Sequence, residues 1–462
     1  MNEHAAETSN RRSSLHGHWS SRFAFVLAVT GSAVGLGNIW KFPYIVGEYG
    51  GGAFVMVYLG AVFAVGLPIM TSEILLGRRG RRNPIATMRI LGAEEGSSRH
   101  WQWLGGIGVL AGFLILSFYS VIAGWVLTYI FKSLTGSFEG ANLQQVTELF
   151  ESTANDWVLT TVGHSLFMIM TVVVVALGVQ HGLERAVRIL MPLLMLCLLL
   201  LVGYSYIEGD FARGWDFMFS PNWEALSPEA ILVALGQAFF TLSIGMGTVM
   251  AYGAYLPEGA PITSSALIVA LSDTVIAILA GLVIFPIIFA NGLDPAVGPG
   301  LVFEALPLAF GQMPGGMYFG ALFFVLVTFA AWTSSIGLIE PAVAWIVETF
   351  YRPRTEAAIL VAVAAWLLGM GTVFSFSIWK DKLFWQGTVF DNLEYLSTNI
   401  LLPVGGLLIT VFAGWILCRN SSSEELGVGT GFLYKGWRLM ARFVAPAAVV
   451  LVFLHATGLM QL

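Results

Sequence analysis

Two short stretches of this sequence combine glycines with hydroxyl or amide side chains inside otherwise apolar surroundings. The first is Gly31-Ser-Ala-Val-Gly-Leu-Gly-Asn38 and the second is Thr241-Leu-Ser-Ile-Gly-Met-Gly247. Glycine readily leaves helical dihedral angles, and unwound backbone can offer carbonyl oxygens to a small cation. The two stretches therefore predict helix breaks at which backbone and hydroxyl oxygens are available as ligands.

The composition places these stretches in a membrane protein. Of the 462 residues, 57% are hydrophobic and 11% are charged, whereas a soluble domain averages about 25% charged residues. Roughly 20 consecutive apolar residues span a bilayer, and the sequence predicts eleven such segments. They lie near 20–46, 52–76, 105–132, 157–179, 188–207, 227–255, 264–291, 316–349, 357–377, 391–417 and 438–459.

The distribution of Lys and Arg predicts the orientation, because cytoplasmic loops carry an excess of both. Seventeen of the 22 basic residues fall on one side of the predicted segments and four on the other, with Lys41 inside a segment. We expect an inner-membrane protein with a cytoplasmic N-terminus, no cleavable signal peptide and the C-terminus outside. The expected parts are a cytoplasmic segment 1–19, a core 20–417, and a cytoplasmic loop with the last span in 418–462. Cys197 and Cys418 lie far apart in the sequence and predict neither a disulfide nor a metal site.

The two glycine stretches fall in the first and sixth predicted spans. Breaks five spans apart fit an inverted five-plus-five repeat, and paired broken segments are the best sequence pointer to a transporter site. Glycine is common in membrane helices and this chain has 52, so a single Gly-x-Gly would favour simple packing. A dinucleotide-binding loop is disfavoured because no strand precedes either pair.

Three motifs resemble those of a known family. They are Gly35-Leu-Gly-Asn-Ile-Trp-Lys-Phe-Pro-Tyr44, Gln237-Ala-Phe-Phe-Thr-Leu-Ser-Ile-Gly-Met-Gly247 and Ala331-Trp-Thr-Ser-Ser335. They resemble the signatures of the neurotransmitter:sodium symporter family, whose members have the LeuT fold, and eleven spans fit its bacterial branch. The resemblance implies an all-α integral membrane protein with broken helices 1 and 6. It also implies sodium-coupled amino-acid import by alternating access.

The resemblance further implies two sodium sites. The first maps onto the Ala33 carbonyl, Asn38, Thr241 and Asp273; the second maps onto the carbonyls of Gly31, Val34 and Ala330 and the hydroxyls of Thr333 and Ser334. For the two hydroxyls the structural alternative is a hydrogen bond back to the preceding helical turn.

Asp273 bears on whether transport requires chloride. Family members often have asparagine there and bind chloride nearby, whereas a carboxylate brings its own charge, which is costly in a membrane unless partnered. The chloride-type ligands Tyr58 and Gln237 are present, but the acidic residue of some chloride-independent members is absent (Ile276 or Ala277). We expect transport without a chloride requirement, with Asp273 a candidate to take up a proton on the return step.

The substrate pocket is also implied by the resemblance. It maps onto Ser32, Ala33, Gly35, Leu36, Gly37, Ile115, Tyr119, Phe240, Thr241, Ser243, Met246, Ser334 and Leu338. Monoamine carriers have aspartate at Gly35, so here the substrate must bring the anionic group, as an amino acid does. Met246 and Leu338 form an apolar, adaptable wall. We expect a neutral, hydrophobic or aromatic L-amino acid; the alternative is a small zwitterion such as glycine, a β-amino acid or taurine.

Gate residues follow from the same resemblance. Lys41 and Asp391 match the outer gate pair, and Trp19, Tyr252 and Glu348 match the inner gate. The arginine usual before the tryptophan is replaced by His16, so either Arg11 or Arg12 reaches Glu348, or histidine does so in a pH-dependent way. Glu340 replaces a common glutamine.

Span 5 begins with Gly182 and Pro192, with nine residues between them. Related bacterial carriers use this spacing to unwind the helix and open a water path to the second sodium site, and proline removes a backbone donor. The rival interpretations are an enzyme, for which no nucleophile–base pair is found, a channel, and a non-transporting amino-acid sensor. The expected partners are sodium, the substrate and the bilayer, without nucleic acid, and the expected state is a monomer or weak homodimer.

Overall fold

The computed structural model describes residues 12–296, 298 and 300–460. These residues form helices joined by loops, with one isolated bridge between Phe384 and Gly387. Among them, nine helices are long and apolar enough to cross a membrane, and one bent pair would make a tenth. The predicted all-α membrane fold is thereby confirmed.

We number the spans by the predicted segments. Span 1 has two halves, Arg22–Ala33 and Gly37–Glu48; the others are span 2 Gly52–Gly80, span 3 Arg99–Leu134, span 4 Trp157–Ala176, span 5 Val179–Glu208, span 7 Ile262–Ala290, span 8 Gly316–Phe350, span 9 Arg354–Ser375, span 10 Val389–Ile416 and span 11 Phe432–Ala456. The segment predicted as span 6 forms Pro228–Thr241 and Thr248–Ala254. Neither half alone is long enough to cross a bilayer, so the count of eleven stays a prediction.

Shorter helices lie between the spans. They are Pro84–Glu94, Leu143–Asn155, Phe211–Phe219, Leu301–Gln312 and Arg419–Leu426. Several begin at a polar side chain that satisfies free backbone N–H groups, as helix N-termini require: Asn83, for example, accepts from Ile85 and Ala86.

Span 1 is broken where its glycines predict. Its first half begins at Ser21, whose hydroxyl accepts the N–H of Ala24. It ends at Ala33, since Val34 is extended with ψ 106°, and the second half departs at 53° to the first. In the break the Asn38 Oδ1 accepts the Gly35 N–H at 3.1 Å, so a side chain replaces the missing helical partner.

Span 6 is broken by three residues in the left-handed region. Ser243 has φ 53°, Gly245 φ 85° and Gly247 φ 76°. Only glycine adopts such angles without strain, which explains the two glycines; Ser243 is the exception. The break therefore has a conformation that the local sequence specifies.

Spans 3 and 8 pack along each other and against the breaks. A Cβ on Gly108 would lie 3.0 Å from the Gly247 nitrogen, and one on Gly112 would lie 3.1 Å from the Leu338 carbonyl oxygen. Both glycines thus let span 3 approach backbone directly. This close packing fixes the position of the span 6 break against the rest of the core.

Candidate ion and substrate site

Asp273 is the centre of a buried polar cluster between spans 1, 6 and 7. The Asn38 Nδ2 donates to Asp273 Oδ1 at 2.8 Å, and the Thr241 hydroxyl donates to Asp273 Oδ2 at 3.0 Å. Asp273 and Asn38 are completely buried. The structure therefore brings together the three side chains that were predicted for the first sodium site, and Ala33, the carbonyl ligand, ends the adjoining helix.

The region predicted for the second sodium site lies between span 1 and span 8. The Ser334 hydroxyl donates to the carbonyls of Ser32 and Val34, each at 3.0 Å. The Thr333 hydroxyl instead donates to Phe329 and Ala330, each at 3.1 Å. Thr333 thus makes the back-bond of the structural alternative, whereas Ser334 reaches across to the break.

Gly31 completes this second group of predicted ligands. A Cβ on Gly31 would lie 3.3 Å from the Thr333 Cβ and 3.1 Å from the Met191 sulfur. Gly31 and Thr333 are therefore neighbours, and span 5 reaches the same point through Met191. All five predicted ligands lie on the two facing segments of spans 1 and 8.

A small internal cavity occupies the predicted substrate position, with a volume of about 30 Å³. It is lined by twelve of the thirteen predicted residues: Ser32, Ala33, Gly35, Leu36, Gly37, Ile115, Tyr119, Phe240, Ser243, Met246, Ser334 and Leu338. Thr241 is the exception, because its hydroxyl is directed to Asp273. The volume holds about two water molecules, so an amino acid enters only if side chains move.

The cavity has a polar and an apolar end. At the polar end the Tyr119 hydroxyl accepts the Leu36 N–H at 3.3 Å, and the Ser243 hydroxyl donates to the Ser32 carbonyl at 2.9 Å. The apolar end is formed by side chains of spans 3, 6 and 8, namely Ile115, Met246 and Leu338, all buried. A zwitterionic head at the first end and a hydrophobic side chain at the second would match this division.

The predicted outer gate residues are not joined in this structure. The Lys41 Nζ lies 4.7 Å from the centroid of the Phe240 ring, a cation–π contact. Asp391 caps span 10, where its Oδ2 accepts from the Thr388 N–H and hydroxyl at 2.8 Å each. Lys41 therefore lies over the ring of Phe240, which lines the cavity, and its pairing with Asp391 stays a prediction.

The residues predicted for the inner gate form two contacts, one at Glu348 and one between Trp19 and Tyr252. The Glu348 Oε1 lies 3.0 Å from the His16 Nε2, and Asn83 donates to Glu348 from both backbone and side chain at 2.8 and 2.7 Å. Trp19 donates its indole N–H to the Tyr252 carbonyl at 3.1 Å, and the two rings meet edge to face. Of the alternatives for Glu348, the structure shows histidine.

Of the two arginine alternatives for Glu348, the structure describes only Arg12. Arg12 pairs with Glu94, and Arg11 lies outside the described residues. Glu340 has its own cation, since Arg354 binds both its oxygens and Tyr255 donates to it at 2.8 Å. Arg354 was not assigned from the sequence, because it is 14 residues from Glu340 and only the turn between spans 8 and 9 brings them together.

The sequence interpretation missed the buried carboxylate beside the span 6 break. Glu73 of span 2 is fully buried and accepts the N–H of Gly245 in the span 6 break. A charged residue inside an apolar segment is a functional signal by itself, so Glu73 could have been found from its place in 52–76. The Gln237 side chain acts similarly on the other break, where its Nε2 donates to the Gly37 carbonyl at 2.8 Å.

Comparison with known proteins agrees with this geometry. The chain matches the sequence profile of the sodium:neurotransmitter symporter family over residues 16–154 and 144–461. It is 38% identical to the uncharacterised sodium-dependent transporter YhdH of Bacillus subtilis over 96% of this chain and 98% of that one. An uncharacterised sodium-dependent transporter of Haemophilus influenzae is 33% identical over 94% of this chain and 97% of its own length.

A solved structure is similar over almost the whole fold. The crystal structure of MhsT in complex with L-phenylalanine superimposes with a TM-score of 0.87 at 41% identity, covering 95% of this chain and 99% of that one. The chain therefore belongs to the sodium:neurotransmitter symporter family and is a membrane transporter rather than an enzyme.

Proposed function

We propose that this protein imports a neutral, hydrophobic or aromatic L-amino acid together with two sodium ions, without needing chloride. The observation that carries the proposal is the divided cavity, with backbone and hydroxyl groups at one end and Ile115, Met246 and Leu338 at the other. MhsT, a similar transporter, was solved with L-phenylalanine. The described residues that line the cavity include no charged side chain, which disfavours substrates with charged side chains.

In the proposed order of binding, sodium binds first and the substrate then enters the cavity. Sodium at Asn38, Thr241 and Asp273 lies beside the polar end, where a substrate carboxylate can add to its ligands. The span 6 break would present carbonyls to the substrate ammonium, and Phe240 would cover the site. Binding that favours one conformer shifts the population toward it, which is how sodium and substrate together would drive closure.

The test is uptake into proteoliposomes under an inward sodium gradient. Labelled L-phenylalanine should accumulate with sodium and not with potassium, and competition by the common amino acids plus taurine should rank hydrophobic and aromatic ones first. Competition by glycine, β-alanine or taurine alone would establish the small-zwitterion alternative. Sodium-dependent binding without accumulation would indicate a sensor.

Chloride independence is proposed from Asp273, whose carboxylate is held by Asn38 and Thr241. Replacing chloride by gluconate should leave uptake unchanged. Asp273→Asn removes the fixed charge beside the first sodium site, so we expect it to weaken sodium binding and make the remaining uptake depend on an added small anion. An absolute chloride requirement in the unmodified protein would contradict the proposal.

A further inference from the structure

A short helix between spans 5 and 6, Phe211–Phe219, packs along the end of span 7. A Cβ on Gly214 would lie 2.5 Å from the Pro286 Cγ, and one on Gly281 would lie 2.7 Å from the Met218 Cε. The missing side chains of these two glycines thus let the helix touch span 7 directly. We call Phe211–Phe219 the connecting helix, and it lies beside the final turns of span 7.

The length of span 7 indicates how deep this contact lies. Its 29 residues make a helix of about 44 Å, which matches a bilayer with both headgroup layers, about 40–45 Å. In an upright span the last residue, Ala290, lies at the headgroup surface, and Pro286 and Gly281 lie about 6 and 13 Å below it. The connecting helix is therefore at the depth of the headgroups and the first acyl carbons.

The side of the connecting helix that turns away from span 7 is aromatic. Trp215 is 49% exposed, and the centroid of its ring lies 6.3 Å from that of Phe211 and 4.4 Å from that of Phe219. Tyr206, at the end of span 5, is 68% exposed and extends the series, with its ring 5.1 Å from Phe211. We call Tyr206, Phe211, Trp215 and Phe219 the aromatic row.

Charged side chains lie on other sides of the same helix. Arg213 lies over the Phe289 ring, 4.5 Å from its centroid. Asp216 is exposed and follows Trp215, so it lies about 100° further around the helix. An apolar, aromatic face beside a charged face is typical of helices that lie in the plane of the membrane interface, where Trp and Tyr are enriched.

The area of the aromatic row argues against a second copy of the chain as its partner. A fully buried aromatic side chain contributes about 150–250 Å², so four partly exposed rings supply about 400 Å² or less. A stable protein interface buries about 800 Å² on each partner. The row is thus too small for a dimer contact, whereas lipid requires no minimum area.

We propose that the aromatic row docks in the headgroup region of the bilayer, on the side where spans 5 and 7 end, and that its partner is phospholipid. The rings pack on the first acyl carbons, and the indole N–H of Trp215 and the hydroxyl of Tyr206 donate to ester or phosphate oxygens. Asp216 then faces the water. This docking holds whichever substrate or ion is carried.

The connecting helix also joins the bilayer surface to other spans. A Cβ on Gly51 would meet the Phe217 carbonyl, and one on Gly52 would lie 3.0 Å from the Ser220 carbonyl carbon. These two glycines form the turn between spans 1 and 2. The docked helix is therefore in contact with the ends of spans 1, 2 and 7.

Depth-dependent fluorescence quenching tests the docking. In protein lacking Cys197 and Cys418, Trp215→Cys is labelled with bimane and placed in phosphatidylcholine nanodiscs, one copy to a disc. A nitroxide near the head of the acyl chain should quench the label about twofold more than one near the methyl end, because an interfacial helix is buried only about 5–10 Å. Iodide in the water should quench it weakly.

Two matched positions calibrate the measurement. Leu196→Cys is at an exposed position near the middle of span 5 and should be quenched most by the nitroxide near the methyl end. Asp216→Cys, on the charged face, should be quenched mainly by iodide. If Trp215→Cys does not yield monodisperse protein, Phe219→Cys in the same row takes its place and should give the same pattern.

Three results would overturn the proposal. Quenching of the row by iodide to the extent seen at Asp216→Cys would place it in water. Strongest quenching by the nitroxide near the methyl end, as at Leu196→Cys, would place it in the hydrocarbon core. Protection from all three quenchers in liposomes, lost in nanodiscs that hold one copy, would identify a second copy of the chain as the partner.

Discussion

At the scale of single residues, glycines decide how much room the site has. Gly35 is the clearest case, because a Cβ there would lie 2.4 Å from the Ser334 hydroxyl oxygen and 2.8 Å from the Tyr119 hydroxyl oxygen. Contacts under 3 Å force one partner to move. Position 35 therefore accepts only glycine without a shift, because Ser334 and Tyr119 occupy the space that a Cβ would need. The conformation of the break restricts the residue type further.

Gly35→Ala should lower substrate affinity by about ten- to hundredfold, the usual effect of overpacking a tight site. The reason is that Ser334 and Tyr119 must leave the positions that shape the polar end. Equilibrium binding of labelled L-phenylalanine in sodium measures it. Gly60→Ala in span 2 is the control, since a Cβ there meets nothing within 4 Å, and a loss of binding in that variant would attribute the effect to glycine replacement in general.

His16 supplies the second prediction at this scale, because it lies 3.0 Å from Glu348, at the position where the resemblance implies an arginine. His16→Ala should favour the inward-open form by about 1 kcal/mol or more, as a buried hydrogen bond to a carboxylate is lost, whereas His16→Arg should not. In protein lacking Cys197 and Cys418, the rate at which Val187→Cys, at a position 1% exposed here, reacts with a polar maleimide in sodium reports the shift. The exposed His100 gives the control, and equal labelling of His16→Ala and His100→Ala would contradict a gate role.

At the scale of elements, each broken span is held by a side chain from outside the break. Glu73 in span 2 accepts the Gly245 N–H in span 6, and Gln237 in span 6 donates to the Gly37 carbonyl in span 1. Unwound backbone inside a membrane persists only where protein groups satisfy it. The span 6 break is thus tied to span 2, and the span 1 break is tied to the first half of span 6.

Glu73→Ala leaves the Gly245 N–H without its acceptor and should destabilise the fold by about 1–3 kcal/mol. Thermal unfolding in detergent with saturating sodium provides the measurement. Glu73→Gln retains a carbonyl acceptor and should recover most of the loss. If glutamine and alanine prove equally damaging, the charge of Glu73 rather than its hydrogen bond is what the break requires.

The breaks were predictable from the sequence because glycine acts locally. Val34 and Ser243 leave helical geometry within the two stretches that were singled out. The partners were not predictable in the same way. Whether His16 or an arginine meets Glu348 depends on the path of the N-terminal segment across three helices, and the place of Lys41 on Phe240 depends on side-chain rotation that no spacing encodes.

At the scale of the whole molecule, the uneven distribution of Lys and Arg between the two sides of the spans predicts the orientation in the membrane. Seventeen basic residues on one side against four on the other predict a cytoplasmic N-terminus. If span 6 is counted as one crossing, the spans number eleven, and an odd number predicts that residues 12 and 460 lie on opposite sides of the membrane. Locating the C-terminus would therefore also decide whether the number of crossings is odd or even.

A C-terminal fusion to alkaline phosphatase after Leu462 should be active, because this enzyme works only outside the cytoplasm. The matching fusion to green fluorescent protein should be dark, because that protein fluoresces only inside the cytoplasm. Fusions truncated after Ser421, in the loop between spans 10 and 11, should show the reverse. Fluorescence from the Leu462 fusion would mean an even number of crossings and would reassign span 6 or span 11.

The division of the cavity has a consequence for how such a carrier diversifies. Its polar end is made mainly of backbone around Gly35 and Leu36, which a mutation cannot readily alter, and Asp273 lies beyond it. Its apolar end is made of Ile115, Met246 and Leu338, three exchangeable side chains. If the proposed function holds, we expect substitutions at these three positions, over evolution or in the laboratory, to change the cargo while the coupling to the ion gradient is inherited intact.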